Sequence, residues 1–504
     1  MSETIVAALA RHARERAAAC ALADDRVRLS WRETEGWVAR AAGWLAARKL
    51  PRGAAVLGWL PNCAEWYLLR LACERAGLFW VPVPASLGRR ELASIAERVR
   101  PAVAVSVAHL REREPAEELS GVLTALDLEP IRVTVRDQPL LRLDGPPLGK
   151  GDALRPEEDA HALATTGSEG VPKLAVYTLA AACARGHAQA RLLGLTAADV
   201  LLTLSPGVGP ARAAWLAAPV AGACVVALPV FGADAALQCI ERERPTVVCG
   251  TPSQLAKLAP GLARIDCSTV RLWYMAGAVL PVSLAEELES KTRGKVVSTY
   301  GGADFGGWAA ADPDDSPAVR HRTVGRGRGG TEFRIVDLQG RDAPADGAGE
   351  LIGRGPCCVR GYLGEAGRDR WRDGWFHTGD LASLDDAGNI AIVGRLKEVI
   401  IRGGDNVSPT EVEALLRAHP EVVDAAVVGV SDPVLGERVC ACVVPVAGTA
   451  PGLESLRERL RQSGLAHFKL PERLVVLDAL PSVGDKVNRR ALAELAAARL
   501  AAVR

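Results

Sequence analysis

The chain runs to 504 residues, more than a single ordinary core organises, so two or three domains are expected. Its 61 Lys and Arg nearly cancel 60 Asp and Glu, which removes the net field that draws a chain to nucleic acid or an anionic membrane, so any anionic ligand must be held locally. Twelve Cys without a Cys-x-x-Cys pair or a Cys/His cluster at metal spacing read as reduced, mostly core residues; Met1-Ser2-Glu3-Thr4-Ile5 carries no basic-then-apolar leader, no apolar run reaches the roughly twenty residues of a spanning helix, and a cytoplasmic protein is the expectation.

Ala-rich helical stretches at Glu65 to Ala76 and Glu91 to Val99 alternate with β-branched runs at 102–105, 224–228 and 246–249, which predicts parallel sheets covered by helices. Later the run Glu332-Phe333-Arg334-Ile335-Val336 leads into the turn signals Asp337-Leu338-Gln339-Gly340 and Asp346-Gly347, the pattern of a small β-rich subdomain. From about Glu398 a separate pattern follows, with a strand at 425–430, a helix after Pro451 and an Ala-rich terminal helix from Arg489. The fold class is therefore α/β: a large N-terminal domain of helix-covered sheets with its β-rich subdomain, and a small α+β C-terminal domain.

Thr165-Thr166-Gly167-Ser168-Glu169-Gly170-Val171-Pro172-Lys173 has the make-up of a polyphosphate grip: glycines admit backbone amides, hydroxyls donate and the Lys adds charge. Four segments follow in order: Tyr300-Gly301-Gly302-Ala303-Asp304, Trp375-Phe376-His377-Thr378-Gly379-Asp380-Leu381, Gly394-Arg395-Leu396-Lys397-Glu398, and Arg402-Gly403-Gly404-Asp405-Asn406 with Val407-Ser408-Pro409-Thr410-Glu411 after it. Together these resemble the motif series of the adenylate-forming enzymes, the superfamily of acyl-CoA synthetases, aryl-acid AMP ligases, peptide-synthetase adenylation domains and luciferases. The resemblance extends from Leu60-Pro61-Asn62 to Lys486.

The resemblance implies a domain 1–396 that binds AMP and the acyl group, and a mobile lid 397–504 hinged at Lys397 that carries the catalytic-lysine loop. It implies ATP or AMP as an acyl-adenylate, coenzyme A and magnesium as the ligands. For the nucleotide it points to Thr165, Gly167, Ser168 and Lys173, to Ala276-Gly277-Ala278 beside the adenine and to Tyr300 and Gly301 against the base. Asp380 and Arg395 would hold the ribose hydroxyls, a task a carboxylate performs by accepting two hydrogen bonds. Lys486 would bond the carboxylate and α-phosphate oxygens, Asp304 would hold the metal, and Arg402, Gly403 and Gly404 would admit the pantetheine of CoA.

Several positions depart from the pattern. Glu169 stands where the loop has a hydroxyl and would repel a triphosphate; Leu174 replaces a glycine; Ala303 replaces the Thr that contacts the AMP phosphate; Asp304 replaces a Glu one methylene longer; Asp485 replaces a Gly beside Lys486. Pyrophosphate handling reads as damaged, AMP binding and thiolation as kept.

Residues that line the acyl pocket by resemblance are Gly207, Val208, Gly209, Trp215, Gly250, Thr251 and Gly302, with core packing the competing reading for Trp215. Glycines where relatives place bulk predict a bulky, largely apolar acid, and no charged residue stands among them, which argues against an amino acid; Lys469-Leu470-Pro471-Glu472-Arg473 keeps an aryl acid open. The reading is an acyl-CoA ligase that forms its thioester through an acyl-adenylate of a bulky or aryl carboxylic acid, with the adenylation half-reaction put in doubt by Glu169, Ala303, Asp304 and Asp485. Three alternatives stay open: an enzyme that only transfers an acyl-adenylate made by a separate adenylating enzyme, an aryl-acid ligase loading a carrier protein, and a non-catalytic AMP binder.

Overall fold

A computed structural model describes residues 3–136, 140–146, 148, 152–165, 172–205, 211–337, 339–343, 347–364, 368–402, 405–432, 434–483 and 486–501. Along the chain come β1 (Cys20–Ala23), β2 (Arg28–Ser30), β3 (Ala55–Leu60), β4 (Phe79–Pro84), β5 (Val103–Val107), β6 (Ile131–Val135), β7 (Asp159–Thr165) and β8 (Lys173–Thr178). They are followed by β9 (Val200–Thr203), β10 (Cys224–Ala227), β11 (Val247–Gly250), β12 (Leu272–Met275), β13 (Lys295–Tyr300), β14 (Ala309–Ala310) and β15 (Arg326–Gly327).

These strands form two sheets. One runs β15-β14-β13-β12-β11-β9-β10-β1-β2, parallel from β13 to β1; the other holds β8-β7-β4-β3-β5-β6, parallel from β7 to β6, with the short strand Gly361–Tyr362 beside β8. Alternating residues explain how both faces of each sheet are buried. Leu201, Val225, Val247 and Leu272 of the first sheet and Val56, Val103 and Leu163 of the second enter one cluster with the helices Trp31–Ala46, Ala64–Arg75 and Leu179–Leu192. Their neighbours Leu202, Val226, Val248 and Trp273 turn to the helices Ala233–Glu243 and Val282–Lys291, while Leu57 and Ala104 turn to Arg89–Val99 and Pro115–Ala125. The order is helix, sheet, helix, sheet, helix, as the alternation of elements predicts.

The chain divides into two compact units, Met1–Phe333 with Gly353–His377, and Arg334–Ile352 with Thr378–Arg504. Between 332 and 395 strands predominate, at Glu332–Val336, Gly349–Arg354, Trp375–Leu384 and Ile390–Arg395, in keeping with the turn-rich sequence. In the second unit a long antiparallel pair, Val422–Asp432 with Gly436–Pro445, carries the helices Pro409–Arg417, Leu453–Gln462 and Arg489–Ala501. All twelve cysteines are free and ten are buried, which agrees with their reading as reduced core residues. Among the described residues no helix is long and apolar enough to cross a membrane.

Candidate active site

Four adjacent parallel strands end at one place in the first unit. β9 delivers Leu204 and Ser205, β11 delivers Gly250 and Thr251, β12 delivers Ala276 and Gly277, and β13 ends on Tyr300 and Gly301. The carboxyl edge of an open parallel sheet is where such folds bind ligands, because side chains there are free of the ladder and the connecting loops diverge. A small pocket opens at this edge, lined by Ala276, Thr299, Tyr300, Gly301 and two residues with no place in the sequence reading, Arg185 and Arg212.

Local bonds fix the strand ends. Thr251 caps the helix Pro252–Leu258: its hydroxyl accepts from the Gln254 amide at 3.3 Å, and Gln254 Oε1 accepts from the Thr251 amide at 3.0 Å. Gln254 also reaches β9, donating to the Leu204 carbonyl at 3.1 Å and accepting from Ser205 Oγ at 3.1 Å. Gly277 takes φ +98°, a conformation that costs a side-chain-bearing residue roughly 1–3 kcal/mol, so the Ala-Gly-Ala turn after β12 needs its glycine. Tyr300 stands edge-on to Phe333 at 6.2 Å.

The two ends of the phosphate-loop motif lie on the paired strands β7 and β8, where Thr165 pairs with Lys173. Gly167, Ser168 and Glu169 lie outside the described residues, as do Gly207, Val208 and Gly209. Just before β8 Arg98 donates to the Pro172 carbonyl. Leu174, a departure from the motif, is fully buried against the core of the second sheet, so its bulk serves packing.

Asp304 is already engaged. Its Oδ2 accepts from Arg370 Nη1 at 3.2 Å, and Arg370 Nε donates to the His377 carbonyl at 2.9 Å. Among the described residues no group of three or more His, Cys, Asp and Glu stands together. Arg370 thus competes for the carboxylate that the resemblance gives to magnesium, an ion commonly held by one or two carboxylates together with substrate phosphates.

Behind the pocket, cations alternate with rings. Arg70 lies 5.2 Å from the Trp215 ring centre, Trp215 meets His161 at 4.9 Å, His161 stacks on Tyr177 at 4.8 Å, and Arg212 lies 5.0 Å from the Tyr177 ring and donates to its hydroxyl at 2.9 Å. Tyr177 in turn donates to the Ala303 carbonyl at 2.6 Å. Trp215 is 2 % exposed on the π-turn Ala213–Ala217 and belongs to the main core cluster. Burial, reinforced by Arg70 and then Arg212, drives the His161 imidazole well below its usual range, so it is neutral. Burial and the Arg212 charge push Arg185 down to about 10. Arg212 and Arg185 look like surface residues in the sequence, and only packing buries them. The signal that could have located Arg212 is its position three residues after Gly209, in the stretch that the resemblance gives to the acyl pocket.

In the second unit Asp380 and Arg395 are register partners on neighbouring strands, with Arg395 Nε 3.0 Å from Asp380 Oδ1. Within the same strand as Asp380, Thr378 donates from its hydroxyl to the Leu351 carbonyl at 2.6 Å and Gly379 from its amide to Glu350 at 3.0 Å. Lys397 is exposed within the 3-10 turn Leu396–Glu398. Arg402 is bidentate to Glu472 at 2.8 and 2.9 Å, and Glu472 also takes Arg438 at 2.7 Å; Gly403 and Gly404 lie outside the described residues. Lys486 has its backbone in a short hairpin opposite Val483, Asp485 lies outside the described residues, and Asn488 closes the hairpin by donating from its amide to the Pro481 carbonyl. Arg489, just beyond, bridges Glu398 at 2.7 Å and Glu413 at 2.6 Å.

A family model described as AMP-binding enzyme matches residues 9–363, and one described as AMP-binding enzyme C-terminal domain matches 411–485. The chain belongs to the AMP-binding enzyme family. Among relatives, the medium-chain fatty-acid–CoA ligase of Escherichia coli K12 is 30% identical over 458 residues, covering 87% of this chain and 81% of its own. The indoleacetate–CoA ligase of Aromatoleum aromaticum is 30% identical over 492 residues, covering 93% of each. Among solved structures of the family, ATP-bound MatB from Rhodopseudomonas palustris superposes with a TM-score of 0.87 at 25% identity and 99% coverage of both chains.

Proposed function

We propose that the chain is an acid–thiol ligase that joins a carboxylic acid to coenzyme A through an acyl-adenylate. The observation that carries this reading is the convergence of Ser205, Thr251, Ala276 and Tyr300 at the carboxyl edge of one parallel sheet, where a small pocket opens beside Ala276 and Tyr300. Relatives named as CoA ligases for fatty and aromatic acids support it.

The chemistry follows from the leaving group. A thiol cannot expel oxide from a carboxylate, so the acid first attacks the α-phosphorus of ATP and releases pyrophosphate; the thiol then displaces AMP. In this reading Ala276, Gly277 and Tyr300 border the adenine, Asp380 and Arg395 hold the ribose, and Lys173 and Lys486 meet phosphate and carboxylate oxygens. Thr165 belongs to the same grip, Arg402 to the CoA side, and Lys397 to the hinge. Gly250, Gly301 and Gly302 belong to the acid's side by the resemblance, and at Gly301 the missing side chain admits the Gly307 carbonyl, 2.8 Å from where a Cβ would stand.

One observation favours a second reading, in which the chain only transfers a preformed acyl-adenylate: Asp304 is held by Arg370 where the family pattern puts a metal carboxylate. Mass-spectrometric detection of acyl-CoA decides between the two. One reaction contains free acids, Mg-ATP and CoA, the other the matching synthetic acyl-adenylates and CoA. Product in both is the expected result, product from the adenylates alone establishes the transfer reading, and no thioester in either removes the ligase assignment.

A further inference from the structure

Arg185 on the helix Leu179–Leu192 and Arg212 beside the π-turn are 6 % and 4 % exposed, and among the described residues neither makes an ion pair with a carboxylate. Arg185 donates from Nη1 to the Gly306 carbonyl at 3.2 Å; Arg212 donates from Nη2 to Tyr177 Oη at 2.9 Å; the Nε of each has no partner. Most of the five N–H donors on each guanidinium are thus unspent. The nearby acids are committed elsewhere, Asp304 to Arg370 and Glu74 to Arg70.

Rings do not balance the charges. Arg185 lies 4.1 Å from the Trp308 ring and Arg212 lies 5.0 Å from the Tyr177 ring, but such contacts return less than the desolvation of an ion costs. The two charges also repel one another. A protein keeps two unpaired cations in its interior when something supplied from outside neutralises them.

Resting on the ligase reading above, we infer that Arg185 and Arg212 bind a second carboxylate on the acid substrate, at the far end of the chain or ring from the carboxyl group that is activated. The reacting carboxyl group has to stay open to ATP and to the CoA thiol, so it cannot sit against residues this buried. Arg212 stands three positions after Gly209 and three before Trp215, and the resemblance gives both of those residues to the acid's pocket. Guanidinium forks match a carboxylate with paired hydrogen bonds, and two of them select strongly for it. The same charges repel an ammonium group, so an α-amino acid is disfavoured.

The test compares hexanoic acid, hexanedioic acid and the monomethyl ester of hexanedioic acid, with benzoic acid and the benzenedicarboxylic acids as an aromatic set. Acyl-CoA is measured by mass spectrometry, and calorimetry measures binding of each acid to the wild-type protein alone. A diacid should exceed its own monomethyl ester roughly hundredfold in kcat/KM, and Arg185→Gln or Arg212→Gln should collapse that ratio, with Arg212→Lys recovering part of it. Equal use of diacid and monoester by the wild-type enzyme would overturn the inference while leaving the ligase reading intact. So would variants that slow every acid alike, since the arginines would then serve the phosphate or the shared carboxyl group. Should no acid yield thioester, the ligase reading fails by itself, and calorimetry still decides: diacid binding over monoester upholds the two-arginine site, and its absence removes it.

Discussion

Under the proposed function Asp380 meets a ribose, and its surroundings already orient it. The strand residues before it, Thr378 and Gly379, are tied to Leu351 and Glu350, its own amide donates to Thr378 Oγ1 at 3.1 Å, and Arg395 holds one carboxylate oxygen. Asp380→Asn keeps the size and removes the charge; AMP affinity measured by calorimetry is expected to fall roughly tenfold to a hundredfold, the worth of charge-assisted hydrogen bonds. Unchanged affinity would remove Asp380 from the nucleotide site. Asp380 and Arg395 were legible in the sequence because a motif carries residue type and order together. Leu174 was not, since a departure from a motif looks the same whether the side chain enters the site or the core; its burial decides for the core.

At the scale of elements, the π-turn Ala213–Ala217 and the helix Leu179–Leu192 hold the two arginines in place. Their approach is so close that a Cβ at Gly186 would come within 2.5 Å of the Leu216 carbonyl oxygen. That neighbour is backbone, which cannot turn aside. Gly186→Ala is expected to cost about 1–3 kcal/mol in urea denaturation, and to lower the preference for a diacid by shifting Arg185 from Arg212. A variant with wild-type stability would show that the helix and π-turn separate freely. The helices were readable from periodicity, as at Ala64–Arg75 and Arg89–Val99, and so were strand cores such as Val247–Gly250. The π-turn was not, because one extra residue in a helical turn answers to packing between elements and leaves no local trace.

For the molecule as a whole, the buried row of His161, Tyr177, Trp215 and the arginines links pH to stability. His161 is 1 % exposed and kept neutral in the folded state, while in the unfolded chain it takes up a proton below its ordinary value of 6.5. The unfolded state therefore binds more protons as pH falls through that range, and stability is lost in that direction. Urea midpoints are expected to drop between pH 7.5 and pH 5.5, and His161→Phe, which preserves the ring stack and cannot titrate, should flatten the slope; an equal slope in the variant would assign the effect to other groups. Composition, motif order and hydrophobic period sufficed to establish the family and the layered α/β architecture, because each is written in residue type and spacing along the chain. What only the tertiary structure decided is which charges lose their water. Arg185 on an Ala-rich helix and Arg212 after a Pro-Gly stretch carry nothing in sequence that sets them apart from the many arginines at the surface, since burial is a property of what folds against a residue, and that partner comes from distant parts of the chain.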